Sequence, residues 1–202
     1  MGPKLSDVDL WKQLKQGNHR AFETLYRAHY PSLFRFALRF YPDHALVEQS
    51  IQELFVRLWE HRSQLSEVLS PRAYLFASLR REILQQKKKE SNIHALVIPA
   101  EDAFVYSPQE LCIQKEESSL RKTELAEALN GLPLRQREAL YLKYYEELTY
   151  PEIAKVMGIH YQSVVNLIFR AFASLKKSEN LQQYAQYYRF IPFAYLILSL
   201  SF

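Results

Sequence analysis

Apolar residues recur every three to four positions through the first ninety residues of the chain, and this spacing predicts amphipathic helices. Capping and chain-breaking residues divide the stretch into four segments. The predicted helices cover residues 7 to 15, 18 to 40 with an interruption near Pro31, 43 to 61, and 70 to 89. No segment alternates convincingly as a β-strand would, so we expect an all-α fold.

The most informative stretch reads TYPEIAKVMGIHYQSVVNLIFRAFASLKK and begins at Thr149. Thr149 and Glu152 form a T-x-x-E capping box, which predicts a short helix from about residue 150 to residue 157. Gly158 follows and is expected to end that helix in the left-handed conformation that glycine adopts freely. Small Ala154 stands where a second helix would touch the first. This pattern predicts a helix-turn-helix, whose second helix can enter a major groove.

The second helix of this motif is predicted over residues 161 to 176. Its inward side has apolar residues at core spacing, namely Val164, Leu167, Ile168, Ala171 and Leu175. The residues left to face outward are His160, Tyr161, Gln162, Val165, Asn166 and Phe169. Three amphipathic helices that merely form a bundle are the alternative. The small residue and the glycine, in phase with the apolar set, favour the helix-turn-helix.

Two helices of the first block have faces that could bind a partner. On the helix over 43 to 61, one solvent-facing side has Gln49, Gln52, Glu53, Val56 and Glu60. On the helix over 70 to 89, the aromatic residues Tyr74 and Phe76 precede a set of cations made up of Arg80, Arg81, Lys87, Lys88 and Lys89. Aromatic residues beside cations suit opened single strands. A core aromatic pair with lysines at a helix C-terminus would explain the same pattern.

Composition narrows the function classes. The chain has 202 residues and a net charge of +4, a mildly basic balance that suits contact with nucleic acid. Cys112 is its single cysteine, which excludes an internal disulfide and fits a reducing compartment. With four glycines, no phosphate-binding loop and no metal-ligand spacing among its histidines, we expect no enzyme, no cofactor, no metal site and no small-molecule substrate. The N-terminus has no apolar signal-peptide region, so we expect a cytoplasmic protein.

Between the two helical blocks, residues 91 to 110 lose the apolar periodicity and have acidic residues but no lysine or arginine, which predicts an extended acidic linker. We therefore expect a first domain over 1–90, the linker over 91–110, a second domain over 111–180 and an apolar tail over 181–202. The apolar run from Phe190 to Phe202 is shorter than a bilayer span and is interrupted by Pro192. Packing on the second domain or on a protein partner is the expected use of this tail, with membrane contact as the alternative.

The order of these segments resembles the extracytoplasmic-function sigma factors, the two-domain initiation subunits of bacterial RNA polymerase. The resemblance covers about residues 10 to 177 and rests on AFETLYRAHYPSLFRFALRF, QELFVRLWEHR, SPRAYLFASLRR and LPLRQREALYLKYYEELTYPEIAKVMGI. The tyrosine-rich YYEELTYPEIA and the VVNLIFRA stretch are most similar to the branch common in Bacteroidetes-type bacteria. The resemblance identifies residues 1–90 as sigma region 2 and residues 111–180 as sigma region 4.

The resemblance implies a role for each face. The segment with Gln49, Gln52, Glu53, Val56 and Glu60 corresponds to the one that docks on the β′ clamp helices of core RNA polymerase. The residues implied at the melted −10 region, where a base is flipped out, are Tyr74, Arg80, Arg81, Lys87 and Lys88. The −35 element would be read by His160, Tyr161, Gln162, Val165, Asn166, Phe169 and Arg170, in the domain that also touches the β flap.

The chain departs from the family pattern at both promoter-reading elements. Arg81 stands where the base-pocket motif usually has asparagine, and Arg170 is the single charged residue between Tyr161 and Leu175. Fewer cations mean fewer phosphate contacts and a weaker dependence on salt. An anti-sigma factor or a DNA-targeting recruiter would then be a further partner. The alternative function is a helix-turn-helix regulator that binds operator DNA without joining polymerase, and a third hypothesis is a helical adaptor tethered to a membrane by the tail.

Overall fold

The computed structural model describes residues 5–93, 104–106 and 119–177. The chain divides into two compact units, whose longest continuous spans are residues 1–100 and 101–154. Within the described ranges the regular structure is helical throughout and contains no strand. The predicted all-α, two-domain fold is therefore confirmed.

The N-terminal unit is a bundle in which the second helix packs against the other three. Its helices are α1 (Asp7–Lys15), α2 (His19–Leu38), α3 (His44–Glu60) and α4 (Pro71–Ile93), with a 3₁₀ turn at Arg62–Gln64. The core is rich in fully buried aromatic side chains, among them Trp11, Phe36, Phe40, Phe55 and Phe76. Large rings bury much apolar surface for each residue, which suits a bundle of this size.

The predicted interruption near Pro31 is wrong, because α2 runs without a break from His19 to Leu38. Proline has no N–H to donate to the carbonyl oxygen four residues earlier, which here belongs to Arg27. Both Pro31 and Arg27 are exposed, so water can reach that carbonyl. On the opposite side of the helix, buried Leu25 and Leu33 anchor it to the core before and after the proline.

Side-chain caps fix the starts of α3 and α4, the two helices that form the first candidate site. The Asp43 carboxylate accepts hydrogen bonds from the backbone N–H groups of Ala45 and Leu46, at 2.9 and 3.1 Å. The Ser70 hydroxyl oxygen accepts a hydrogen bond from the N–H of Ala73 at 3.1 Å. The α4 helix extends about one turn beyond its predicted end at residue 89.

The C-terminal unit contains the helix-turn-helix. Its helices are α5 (Ser119–Asn130), α6 (Leu134–Tyr144), α7 (Tyr150–Met157) and α8 (Tyr161–Lys177), and α6 packs on α8. The predicted bounds of α7 and α8 are confirmed to within one residue. Gly158 has a φ of +64° between them, as predicted for the turn. Val164, Ile168, Ala171 and Leu175 are buried as expected, whereas Leu167 is half-buried.

Three residues of the predicted linker pack on the C-terminal unit, and we call residues 104–106 the linker anchor. Phe104 and Tyr106 are buried while Val105 between them is exposed, the alternation of an extended chain. The Tyr106 N–H donates to Asn130 Oδ1 at 2.8 Å, and Asn130 Nδ2 donates to the Tyr106 carbonyl oxygen at 2.9 Å. The Tyr106 hydroxyl donates to the carbonyl oxygen of Arg137 at 3.0 Å. The linker was predicted to be a connector alone, yet this part of it belongs to a folded domain.

The rest of the predicted linker lies almost entirely outside the described residues, as do Cys112 and the apolar tail over 181–202.

Candidate nucleic-acid and partner interfaces

The outer face of α3 is the first candidate interface. The five residues predicted for polymerase binding lie on one side of the helix, with Gln49, Gln52, Val56 and Glu60 exposed and Glu53 half-buried. Val56 has 54% of its surface exposed at the centre of this set. The opposite side of α3 packs into the bundle. One exposed aliphatic side chain is common on protein surfaces, so the face is a candidate because of the family resemblance of its segment.

Part of this face is tied to α4 by charged groups. Gln49 Nε2 donates to Glu53 Oε1 at 2.8 Å, and Arg57 Nη1 lies 3.8 Å from Glu53 Oε2. Arg57 also forms an ion pair with Glu82 on α4. Burial raises the pKa of Glu82, and the hydrogen bond and charge of Arg57 act against that rise. This network of hydrogen bonds and ion pairs therefore links the outer face of α3 to α4.

A cavity of about 530 Å³ lies between the end of α3 and α4, and we call it the α3–α4 cavity. Its lining combines aromatic, aliphatic and charged side chains, including Arg57, His61, Leu65, Tyr74, Ser78 and Arg81. Both the volume and the mixed lining are within the range of pockets that hold small organic groups. The cavity is open to solvent and has cations from both helices, which suits a base attached to a phosphate backbone.

The structure brings only some of the predicted −10 residues to this cavity. Tyr74 and Arg81 line it, whereas Arg80, Lys87 and Lys88 are not among its lining residues. The Lys87 ammonium lies 5.7 Å from the ring centre of Tyr41. The remaining cations are thus placed for contacts outside the cavity.

Phe76 is not available to stack on a base. Its side chain is fully buried and lies 5.0 Å from the ring of Phe36, so this part of the predicted aromatic set is wrong. Tyr74 is half-buried, and its ring meets that of Trp11 edge to face at 5.0 Å. Tyr74 and Phe76 are two residues apart and so lie on opposite sides of the helix. Phe76 shares its side with buried Leu79 and Ile83, and that apolar spacing was the signal that could have separated the two rings.

The lining residues that were not predicted include three with ionisable side chains, namely Arg57, His61 and Glu82. The first two lie near the end of α3 and the third lies on α4. Their approach depends on how these helices pack, which no local pattern reports.

The outer face of α8 is the second candidate interface. Tyr161 and Phe169 have 51% and 61% of their surfaces exposed, Gln162 and Asn166 are exposed, and Val165 is half-buried. His160 and Arg170 are also exposed, so the predicted set lies on the accessible side of the helix. Buried Phe172 on the inner side meets Tyr144 of α6, with ring centres 5.8 Å apart.

The start of α8 is held by contacts from α7. The rings of Tyr150 and Tyr161 meet edge to face at 6.0 Å. The Lys143 ammonium lies 5.1 Å from the ring centre of Tyr150. At the start of α7, Glu152 Oε2 accepts hydrogen bonds from the N–H and the hydroxyl of Thr149, at 2.8 and 2.7 Å. These contacts support the predicted cap and orient the first turn of α8.

Comparisons with known proteins agree with this arrangement. Residues 25–93 match Sigma-70 region 2, and residues 122–175 match Sigma-70, region 4. Together these matches cover more than half of the chain.

Individual relatives carry the same assignment. The ECF RNA polymerase sigma factor SigM of Bacillus subtilis is 29% identical over 163 residues, which are 78% of this chain and 94% of the relative. The ECF RNA polymerase sigma factor SigL of Mycobacterium tuberculosis is 28% identical over 153 residues, or 75% and 85% of the two chains. The structure of the sigma factor RpoE with the anti-sigma factor NepR, from Bartonella quintana, shares the fold at a TM-score of 0.59 and 23% identity, covering 80% of this chain and 96% of RpoE.

A region 2 bundle followed by a region 4 helix-turn-helix defines the class of this protein, which is an RNA polymerase sigma factor of the sigma-70 family. Its relatives assign it to the extracytoplasmic-function group within that family. The region 2 match disfavours a regulator that binds operators without joining polymerase.

A membrane-spanning helix and a metal-binding cluster are both absent from the described part of the chain. No helix there is long and apolar enough to cross a bilayer. No group of three or more histidine, cysteine or acidic side chains there is arranged to hold a metal ion.

Proposed function

We propose that this sigma factor binds core RNA polymerase through the outer face of α3, holds a flipped base of the −10 region in the α3–α4 cavity, and reads the −35 element with α8. The observation that carries the proposal is the α3–α4 cavity. It lies on the helix that the family resemblance assigns to promoter melting, and Tyr74 and Arg81 line it.

The polymerase contact is the first step. Val56 lies at the centre of the α3 face and would pack against the β′ clamp helices, with Gln52 and Glu60 at its edge. Glu53 is held by Gln49 and Arg57, which orients its carboxylate before binding. Orientation before binding lowers the entropic cost of association. The region 4 domain would contact the β flap.

The −10 contact follows in the opened strand. A base inserted in the α3–α4 cavity would lie beside the Tyr74 ring, and the guanidinium of Arg81 would donate to its edge. Arg80, Lys87 and Lys88 would hold phosphates outside the cavity. Tyr74 and Arg81 would therefore select the base. The three cations outside the cavity would contact phosphates in the same way on every DNA sequence.

At the −35 element, α8 would lie in the major groove with Tyr161, Gln162, Val165, Asn166 and Phe169 toward the bases. His160 at the head of the helix and Arg170 would meet the sugar-phosphate backbone. Arg170 is the only cation between Tyr161 and Leu175, and Lys176 and Lys177 follow in the last turn. The part of α8 in the groove would therefore make few phosphate contacts, which supports a recruiting DNA-binding protein that adds affinity.

A further protein partner and a cellular compartment are also part of the proposed function. An anti-sigma factor would be a further partner, as the anti-sigma factor NepR is in the structure with RpoE. The sigma factor would act in the cytoplasm. The sigma factor would catalyse no reaction and bind no small-molecule substrate. The tyrosine-rich segment over 144–150 supports an origin in the Bacteroidetes-type branch.

The test is transcription in vitro from the native promoter, found beforehand by sequencing RNA 5′ ends after expression of the protein. Core polymerase and this protein alone should initiate only weakly at the mapped site, because α8 makes few phosphate contacts there. Failure of the protein to co-elute with core polymerase would contradict the whole proposal. Initiation that appears only when a second DNA-binding protein is added would support the recruiter, and strong initiation without it would refute the recruiter.

The role of the cavity is tested with fluorescent 2-aminopurine at each −10 position of the non-template strand. Arg81→Ala should remove the fluorescence change at one position and the preference for one base there. The matched variant Lys88→Ala, on the same helix, should weaken all strands by a similar factor. Equal effects of the two substitutions would show that the cavity does not select a base.

A further inference from the structure

The outer face of α8 has a stripe of side chains whose chemical types suit contact with one class of base pair. Gln162 precedes Val165 and Asn166 by three and four residues, and these precede Phe169 by four and three, so the four residues line one side of the helix. Three of them are exposed, and Val165 is half-buried. A helix in a major groove presents such a stripe to successive base edges.

The two apolar members of the stripe favour thymine. Phe169 has 61% of its surface exposed, which is a large apolar area left in water on a DNA-reading face. In the major groove the apolar feature of a base edge is the C5 methyl group of thymine. Val165, one turn before Phe169, offers a second and smaller apolar contact.

The two amide members favour adenine. Asparagine and glutamine form paired hydrogen bonds with N6 and N7 of adenine. Gln162 Nε2 donates to Asn166 Oδ1 at 3.4 Å in the free protein. A bond of that length is weak, so it is readily exchanged for a bond to a base, while it keeps the two amides on the same side of the helix.

The residue types that recognise G·C pairs do not occur in the stripe. Guanine is read mainly by arginine or lysine, and the amino group of cytosine by aspartate or glutamate. None of the residues from 161 to 169 is of these four types. Arg170 is the next residue and the first cation of the helix, and it follows the stripe rather than belonging to it.

We infer that α8 selects A·T base pairs in the −35 element, through contact of Val165 and Phe169 with thymine methyl groups and through paired hydrogen bonds from Asn166 to adenine. This inference rests on the proposed function, since it requires α8 to lie in the major groove. The docking of a protein on the same apolar face is the competing outcome of the test.

The test uses the full-length protein bound to core polymerase and promoter duplexes in which six −35 positions, about one helix face, are randomised. Duplexes recovered from binding should be rich in A·T pairs at two or more adjacent positions. Enrichment of G·C pairs, or no enrichment at all, would overturn the inference. A polymerase complex that binds no promoter would contradict the proposed function instead, so the two failures are distinguishable.

Atom-level substitutions in the best duplex then test each contact. Replacing thymine by uracil removes one methyl group and should weaken binding about fourfold at the position that meets Phe169. Replacing adenine by 7-deazaadenine removes N7 and should weaken binding about fivefold or more at the position that meets Asn166. Arg170→Ala should weaken all of these duplexes by the same factor.

Matched variants show whether those effects pass through the named side chains. Phe169→Ala should bind the thymine and uracil duplexes equally, while Phe169→Leu should restore part of the preference for thymine. Phe169 is exposed, so both variants should keep the fold, and circular dichroism checks that they do. If Phe169→Ala leaves the uracil effect and the start sites unchanged, the inference is overturned and the face belongs to a protein partner.

Discussion

The side-chain amide of Asn130, the last residue of α5, is hydrogen-bonded to both the N–H and the carbonyl oxygen of Tyr106, at 2.8 and 2.9 Å. Asparagine thus satisfies the backbone of an extended chain in the way a neighbouring strand would. The Tyr106 ring lies 6.3 Å from that of Tyr141, which adds an aromatic contact. Backbone, hydroxyl and ring contacts together make the linker anchor a part of the region 4 domain.

Asn130→Ala should destabilise the region 4 domain by about 1–3 kcal/mol, because it leaves the N–H and carbonyl of Tyr106 without their side-chain partner. Hydrogen exchange of the α6 amides measures this loss. Both tryptophans, Trp11 and Trp59, lie in the N-terminal unit, so the unfolding midpoint from tryptophan fluorescence should stay unchanged. Exposed Asn166→Ala is the matched control, and an equal loss there would contradict the role of Asn130.

Val56→Glu should abolish co-elution with core polymerase. A carboxylate at the centre of a contact would be buried without a partner, at a cost of about 2 kcal/mol or more. Val56→Glu is easier to interpret than Glu53→Arg, because Glu53→Arg would also place a second cation beside Arg57. The control is Ala28→Glu on the exposed side of α2, which should co-elute as the wild type does. Unchanged co-elution of Val56→Glu would show that polymerase binds elsewhere.

Pro31→Ala should stabilise the N-terminal unit by about 1–2 kcal/mol. The substitution returns an N–H to the middle of α2, and part of that gain is offset by the greater freedom of the unfolded chain. Urea unfolding followed by tryptophan fluorescence measures the change. A loss of stability would mean that the proline ring makes a packing contact worth more than the hydrogen bond.

The raised pKa of Glu82 predicts that protein stability changes with pH in a defined direction. Because burial raises its pKa in the folded state, the folded chain binds that proton more tightly than the unfolded chain does. The contribution of Glu82 to stability is therefore full below the pKa of the unfolded chain and falls as pH rises through the folded pKa. The difference in unfolding free energy between the wild type and Glu82→Gln should decline as pH rises above about 4, the ordinary pKa of a glutamate side chain. A difference that grows over this range would contradict the assignment.

The elements that could be predicted from the sequence are those fixed by local chemistry. The cap at Thr149 and Glu152, the left-handed Gly158 and the apolar spacing of α8 each depend on a few adjacent residues. The predicted bounds of these elements agree with the structure to within one residue. The same is true of α1, whose bounds at Asp7 and Lys15 were predicted.

The features that could not be predicted depend on tertiary packing. The local rule for Pro31 predicts a break, but buried residues on the other side of α2 keep the helix continuous. The α3–α4 cavity and the linker anchor join residues far apart in the chain, so no window of sequence contains them.

The single charge between Tyr161 and Leu175 bears on how a promoter is found. Contacts to phosphate are the same on every DNA sequence, and they set how long a protein stays at a wrong site and whether it slides from there. Because Arg170 is the only cation of α8 before Lys176 and Lys177 in its last turn, the part of the helix in the groove would add little to the retention of polymerase on DNA without the right base edges. The search would then consist of many brief encounters, each ending in dissociation unless the element fits.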